Sequence, residues 1–293
     1  MLEKALITAA SNKFFPSLIN LLGSIKVNYP SHPKIFIFDL GLFHNFRKEL
    51  EKIENVEVLD MPVFCGHWRS CFTWKTYIFA HPFARLNFYL DSGCQVLKPM
   101  NEIFETIEKQ DYFIIGQGIN LGKIIPKEYE SVCKMPLGYE EMESIHAGEI
   151  GFKAQSSISP ILEKVYNLGL SGLALGFSEN ERWRNRGKDK NPYIRNCPVF
   201  RHDMTLLNMV VREHFANELV VQDASKFAGG KDDHPEQVVW NLRLSYKTLD
   251  YIKSKFLHKR LNLNTVFNRS IIFIMIFLKN FKLSLKKVFK IIS

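Results

Sequence analysis

Cysteine is scarce in this 293-residue chain: Cys65, Cys71, Cys94, Cys133 and Cys197 make an odd number, with no Cys-x-x-Cys pair. Such usage argues against a disulfide framework and against a structural zinc site, and a reduced compartment, the cytosol, is the natural expectation. Long apolar runs are lacking too. The longest uninterrupted one, Ile271 to Leu278, has eight residues, short of the about 20 that cross a bilayer as a helix. Lys4 is followed by only a short apolar strand, so no signal peptide is expected at the start. No internal repeat of solenoid period is present, which removes the stacked-repeat architectures.

Acidic residues are absent from Tyr251 to Ser293, a stretch with ten Lys and Arg. The formal charge of +9 therefore sits in this tail, because the preceding 250 residues hold 29 basic against 30 acidic side chains. A chain basic throughout would suggest nucleic acid. This one is basic only where lysines alternate with Phe, Leu and Ile, without the polar and Gly interleaving of an RNA-binding tract, so no nucleic-acid partner is expected. Residues 251–293 read as a basic amphipathic segment lying in the headgroups of an anionic membrane face, where each Lys or Arg contributes about 1 kcal/mol. Packing of its apolar stripe on the rest of the chain or on a second subunit is the competing reading.

At 293 residues and 46% hydrophobic content the chain can bury a sizeable core, and residues 1–250 are expected to form its one α/β domain. Lys4 to Asn12 is a buried-type strand, and Phe15, Leu18, Leu22 and Ile25 have helical spacing over 14–25. Pro33 to Asp39 is a second strand, Phe43 to Ile53 a charged helix, Val56 to Leu59 a third strand. A helix follows through Phe79, Phe83 and Leu86, then strands at Asn87 to Leu90, Tyr112 to Gly116 and Ile145 to Lys153. Alternation at this spacing predicts an α/β fold with a mostly parallel sheet and helices on both faces. The charged stretch from Asn180 to Pro192 has the composition of a long surface loop.

Asn87-Phe88-Tyr89-Leu90-Asp91-Ser92-Gly93 places a carboxylate at a strand's C-terminal end, where open α/β sheets present chemistry. Asp, Ser and Gly also make a tight turn without any function. Further on stand Lys75 in Thr73-Trp74-Lys75-Thr76, the segment Ile145-His146-Ala147-Gly148-Glu149-Ile150, the helix start Arg201-His202-Asp203-Met204-Thr205-Leu206-Leu207-Asn208, and the loop Lys226-Phe227-Ala228-Gly229-Gly230-Lys231. Taken alone, Lys75 reads as a solvated helix lysine, His146 as a satisfied polar group, Asp203 as an N-cap.

In this order the segments resemble those of GT-A nucleotide-sugar glycosyltransferases, most closely the family-eight-like group, over residues 4 to 240. The resemblance implies a GT-A fold and a hexose-type transfer from a nucleotide diphosphate, UDP foremost, to a glycan or lipid-linked acceptor. By it, Thr8, Ala9 and Asn12 recognise the base, Asp91 holds the ribose or a cation, and Lys75 and Lys231 hold the diphosphate. His146, Gly148 and Asp203 belong to the sugar and acceptor side, with Asp203 and Asp91 as catalytic candidates. The second Asp of the family's Asp-x-Asp motif is Gly93 here, and Lys226 stands where the family has a metal-binding His. Two arrangements follow: lysines 75, 226 and 231 neutralise the leaving diphosphate, or Asp91 and His234 hold Mn²⁺ or Mg²⁺. A non-catalytic nucleotide-sugar or glycan binder is the alternative function, and a membrane-surface interaction protein a third.

Overall fold

The computed structural model describes residues 1–176, 200–229, 235–241 and Phe277. The predicted loop at 180–192, Lys231, His234 and, apart from the exposed Phe277, the tail lie outside the described residues. Strands β1 (Leu2–Ala10), β2 (Lys34–Asp39), β3 (Val56–Asp60) and β4 (Ala84–Leu90) alternate with helices α1 (Phe15–Asn28), α2 (His44–Leu50) and α3 (Thr73–Ala80). Then come β5 (Cys94–Val96), α4 (Asn101–Gln110), β6 (Tyr112–Asn120), β7 (Glu143–Lys153), α5 (Ser159–Leu170), α6 (Asp203–Phe215), α7 (Ala224–Phe227) and β8 (Val239–Asn241). A six-stranded sheet runs β3-β2-β1-β4-β7-β6, and β5 and β8 make a separate antiparallel pair.

The expected mixed α/β architecture with a mostly parallel sheet is present, and β2 and β3 pair in parallel from Ile35 opposite Val56 to Asp39 opposite Asp60. The departure is the pairing of β6 with β7, which is antiparallel. Two compact units divide the described chain: one of Met1–Ala5, Met61–Tyr89 and Asn101–Ala224, the other of Leu6–Asp60, Leu90–Met100 and the residues from Ser225 on.

In the first unit, neighbouring residues on a strand show that helices cover both faces, because successive side chains point to opposite sides. Phe88 meets Phe104 of α4, with ring centroids 6.5 Å apart, while the next residue, Tyr89, meets Trp74 and Phe79 of α3. On β7 the pattern repeats. Phe152 packs on Phe79, and Gly151 faces α4 so closely that a Cβ there would lie 2.5 Å from Ile107. Any side chain at 151 would force the side chains of Ile107 and Phe113 to shift.

Helix α3 ends at Ala80, not at Leu86 as its apolar spacing predicts. Pro82 disfavours helical geometry in the residue before it. Asn87 then closes the turn, its Oδ1 accepting the Phe83 and Ala84 amides at 2.9 and 3.0 Å and its Nδ2 donating to the Ala84 carbonyl at 2.7 Å. Leu86 is thereby drawn into β4.

In the second unit the predicted helical stripe of Phe15, Leu18, Leu22 and Ile25 is wholly buried. Pro16 in the first turn of α1 is preorganised for a helix start. Phe15 stacks on Phe46 of α2 at 3.9 Å. Ser24 Oγ accepts the Val96 amide at 2.9 Å, and Asn28 Nδ2 donates to the Val96 carbonyl at 2.8 Å, so α1 holds β5 by its backbone.

Glu213 of α6 collects a loop and a helix. It accepts the Lys134 amide at 3.0 Å and the Lys164 ammonium at 2.5 Å. Burial raises its carboxyl, but those bonds outweigh the burial and leave it below the usual carboxylate value. Burial first and Glu213 second push the Cys133 thiol up to about 11. A carboxyl lowered in the folded state adds stability above its unfolded value and loses it as pH falls through the folded one. Glu213→Gln should therefore cost about 1 kcal/mol at pH 7, reduced by the exposure of Lys164, and nothing near pH 2. Urea unfolding of both proteins at the two pH values checks this; an equal loss at both would remove the ionic part of the account.

Candidate active site

Lys75 enters α3 through a strained turn. Cys71 and Phe72, neither a glycine, both lie in the left-handed region, with φ of 52° and 60°, a conformation that costs a side-chain-bearing residue about 1 kcal/mol or more. Thr73 Oγ1 donates to the Ser70 carbonyl at 2.8 Å and fixes the first turn. The Lys75 side chain is only 5% exposed, so it is not the solvated lysine that helix position alone suggests. Its ammonium donates to the Ala147 carbonyl at 3.2 Å and lies 3.6 Å from Asp203 Oδ2. Phe72, Trp74 and Tyr89 surround it, with centroids 5.4 to 5.7 Å away. Carboxylate, carbonyl and ring faces together replace the water that the charge loses.

Asp203 is likewise buried, and it does not act as the N-cap of α6. His202 occupies the cap position, with φ of 56° and ψ of −116°, while Asp203 begins the helix and turns its carboxylate to Lys75. His202 Nδ1 bonds the Ala174 carbonyl at 2.9 Å, and its ring packs edge-on to Phe200. Asn208 faces β7. It donates to the Ile145 carbonyl at 3.0 Å and accepts the Ile145 amide at 2.7 Å, in the manner of a neighbouring strand.

Ile145 is the last regularly paired residue before a large bulge. Ile114 pairs with Ile150 and Gly116 with Ile145, so a step of two residues on β6 answers a step of five on β7. Residues 146–149 are thus displaced from that ladder. Bulges of this kind re-aim side chains and recur beside active sites. Here the bulge lets the Ala147 carbonyl receive Lys75 and brings His146 and Glu149 together. On a regular strand two residues three apart point to opposite faces, yet His146 Nδ1 contacts Glu149 Oε2. Both are buried, Glu149 completely, and the Gly148 amide lies 3.3 Å from the same ring nitrogen.

Glu149 is the site residue that sequence reasoning passes over. Its signal was an acid inside the otherwise apolar run from Ile145 to Phe152, close after a His. Lys75, Asp203, His146 and Gly148, selected from three separate segments, lie in one unit, where Lys75 touches both the 146–149 bulge and Asp203.

The other unit contains the remaining candidates. Thr8 and Ala9 are buried at the end of β1, and Thr8 Oγ1 has no hydrogen-bond partner. Asn12 donates its amide to the Gly41 carbonyl at 3.1 Å and accepts the Phe43 amide on Oδ1. Asp91 and Gly93 are half-buried in the turn after β4, closed by the Cys94 amide on the Asp91 carbonyl at 2.9 Å. Lys226, on α7, holds its ammonium 5.1 Å from the Phe227 ring centroid. Among the described residues no three His, Cys, Asp or Glu side chains lie together as a metal-binding group. Asp91 with Gly93 and Lys226 does not make the donor set that Mn²⁺ or Mg²⁺ would need, and His234 lies outside the described residues.

No family model matches this chain, and no curated protein does. Among solved structures, the apo structure of the bifunctional glycosyltransferase WbbM resembles it with a TM-score of 0.57 at 10% identity, over 92% of this chain and 51% of that one. A complex of the galactosyltransferase LgtC with donor and acceptor sugar analogs gives a TM-score of 0.49 at 12% identity, covering 83% of this chain and 88% of that one. The chain spans about half of WbbM, and the likeness is one of fold. It agrees with the GT-A-like arrangement of a mostly parallel sheet with helices.

Removal of one partner from a buried ion pair leaves an uncompensated charge. Lys75→Met should therefore destabilise the protein by about 3 kcal/mol, and the double change Lys75→Met with Asp203→Asn should recover at least about 1 kcal/mol of that loss. Denaturant unfolding of the four proteins in this cycle measures the coupling; additive losses would show that the pair is not an interacting unit.

Proposed function

We propose that this protein is a nucleotide-sugar glycosyltransferase that moves a hexose-type sugar from a UDP-linked donor to a glycan or lipid-linked acceptor at the cytoplasmic face of a membrane. The observation that carries the reading is the cluster of Lys75, Asp203, His146 and Gly148. Residues singled out from separate segments, for the diphosphate and for the sugar and acceptor, meet around the buried Lys75–Asp203 pair and the Ala147 carbonyl. The fold shared with a glycosyltransferase supports the same reading.

In this reading Thr8, Ala9 and Asn12 receive the base, and Asp91 the ribose. Asp203, His146 and Gly148 serve the transferred sugar and the acceptor. As the sugar–phosphate bond breaks, negative charge grows on the diphosphate, and cations fixed in place stabilise it without reorganisation. Lys75, Lys226 and Lys231 are assigned that task. Residues 251–293, with ten basic and no acidic side chains, serve to hold the enzyme on anionic lipid, where such acceptors reside. Among the described residues no helix is long and apolar enough to cross a membrane.

Gly93 in place of the second motif carboxylate favours one other reading, a non-catalytic protein that binds nucleotide sugar. Calorimetric titration with UDP and UDP-hexoses, in Mn²⁺ and again in EDTA, tests both. Binding that survives EDTA is expected, with release of UDP from UDP-hexose. Binding without turnover would favour the second reading, and no binding in either buffer would remove UDP-sugar transfer altogether. Asp91→Ala should weaken UDP binding at least tenfold while leaving association with anionic vesicles unchanged, as vesicle sedimentation would record.

A further inference from the structure

Glu143, Ile145 and Ala147, every second residue at the start of β7, have backbone groups met by side chains. Arg212 Nη2 donates to the Glu143 carbonyl at 2.8 Å, Asn208 takes the amide and carbonyl of Ile145, and Lys75 donates to the Ala147 carbonyl at 3.2 Å. Asn208 and Arg212 lie four residues apart on α6, a rise of about 6 Å, and the two strand residues that they meet are separated by about 7 Å. Helix and strand run in opposite senses there and their spacings agree. The two side chains therefore act as a ruler that sets α6 against β7.

Arg212 stands in this ruler at a cost. Its guanidinium is buried, and both of its hydrogen bonds go to carbonyls, that of Glu143 and, at 3.0 Å, that of Ala216, while Nε has no partner. The nearest acid does not pair with it. Glu143 turns its carboxylate to the Gly118 amide at 2.6 Å, over Gly116, where a Cβ would lie 2.5 Å from Oε1. Burial holds the Arg212 guanidinium below its ordinary value, and the more distant pull of Glu143 and Tyr112 offsets only part of this. What the planar fork supplies is geometry: two N–H groups in one rigid plane fix two carbonyls relative to each other, which a lysine cannot do. One of these carbonyls opens β7 and the other, on Ala216 with φ of 47°, closes α6.

We propose that Arg212 is a positioning residue for the candidate active site: by tying the Glu143 carbonyl to the end of α6 it fixes the register of helix and strand, and so sets both the Ala147 carbonyl and Asp203 against the Lys75 ammonium. Its effect on transfer rests on the glycosyl-transfer reading above; its coupling to Lys75 does not. Arg212 makes no hydrogen bond or ion pair with Lys75 or Asp203, so its influence passes through α6 and β7. Without the fork, α6 is free to slip along β7, and the two acceptors of Lys75, one on each element, move apart. The ammonium then no longer sits where the reading needs it, and a misplacement of about 1 Å in such a site costs about a hundredfold in rate.

The test uses the full chain with Arg212→Lys and, as the harsher change, Arg212→Met. Urea unfolding of wild type, Arg212→Lys, Lys75→Met and the double variant gives four folding equilibrium constants. For distant residues without a shared partner the two effects multiply; here the double variant should depart from that product at least fivefold. Amide hydrogen exchange in Arg212→Lys should quicken at Ile145 and Gly148 at least tenfold more than at Phe88 and Tyr89 of β4, and further in Arg212→Met. Hydrolysis of UDP-glucose and UDP-galactose should fall at least tenfold in kcat in Arg212→Lys, with a smaller change in KM, and more in Arg212→Met. Effects that simply multiply, or equal quickening of all four amides, would overturn the positioning role. An undiminished kcat in folded Arg212→Lys would overturn its part in transfer. If wild type neither binds UDP nor hydrolyses the sugars, the transfer reading falls, while the unfolding cycle and the exchange rates still decide whether Arg212 is coupled to Lys75.

Discussion

The ammonium of Lys75 is the charge around which the first unit is organised. A buried lysine must find acceptors, and this one finds them on elements far apart in sequence: the carbonyl of Ala147 on β7 and the carboxylate of Asp203 on α6. Neither contact could form if α3 began elsewhere. The two left-handed residues Cys71 and Phe72 set the direction of the helix, and Phe72 returns as one of the rings around the charge. Strain in the turn is offset by the contacts that the turn makes available. His202, the third strained residue near the cluster, does the same for Asp203 by turning a would-be cap into the first residue of α6.

Irregularity in β7 is the second requirement. A straight β7 would keep His146 and Glu149 on opposite faces, would leave a buried acid against apolar helices, and would hold residues 146–149 in register with β6. The bulge removes all three outcomes, and Asn208 marks its beginning by taking both backbone bonds of Ile145. Site and packing are therefore coupled: the residues that fix the end of the regular ladder also place His146 and the Ala147 carbonyl that receives Lys75.

In the second unit the arrangement is quieter. Helix α1 holds β5 through Ser24 and Asn28, side chains that satisfy the Val96 amide and carbonyl. This anchors the strand just after the Asp91 turn. Thr8 retains a buried hydroxyl with no partner, a cost of about 1 kcal/mol or more that a packed strand end would ordinarily avoid. The turn at Asn12 is tied to Gly41 and Phe43 by backbone and side chain together.

Sequence by itself determined the alternation of strands and helices, the buried stripe of α1, the carboxylate at the end of β4 and the identity of Lys75, His146, Gly148 and Asp203 as residues to watch. The first three are local patterns, written in periodicity and turn chemistry, so a linear reading reaches them; the last rests on the resemblance of motif order to the GT-A enzymes. It extended α3 into β4, because apolar spacing alone does not register what Pro82 and Asn87 do to a helix end. Asp203 looked like a cap and Lys75 like a surface lysine, since burial of a charge depends on partners more than 70 residues away. Only the tertiary structure decided that those two charges meet, that β6 and β7 pair antiparallel, and that β7 bulges so that Glu149 reaches His146. Strand register and the pairing of buried charges are set by the whole assembly of neighbours, and no single stretch of the chain carries that information.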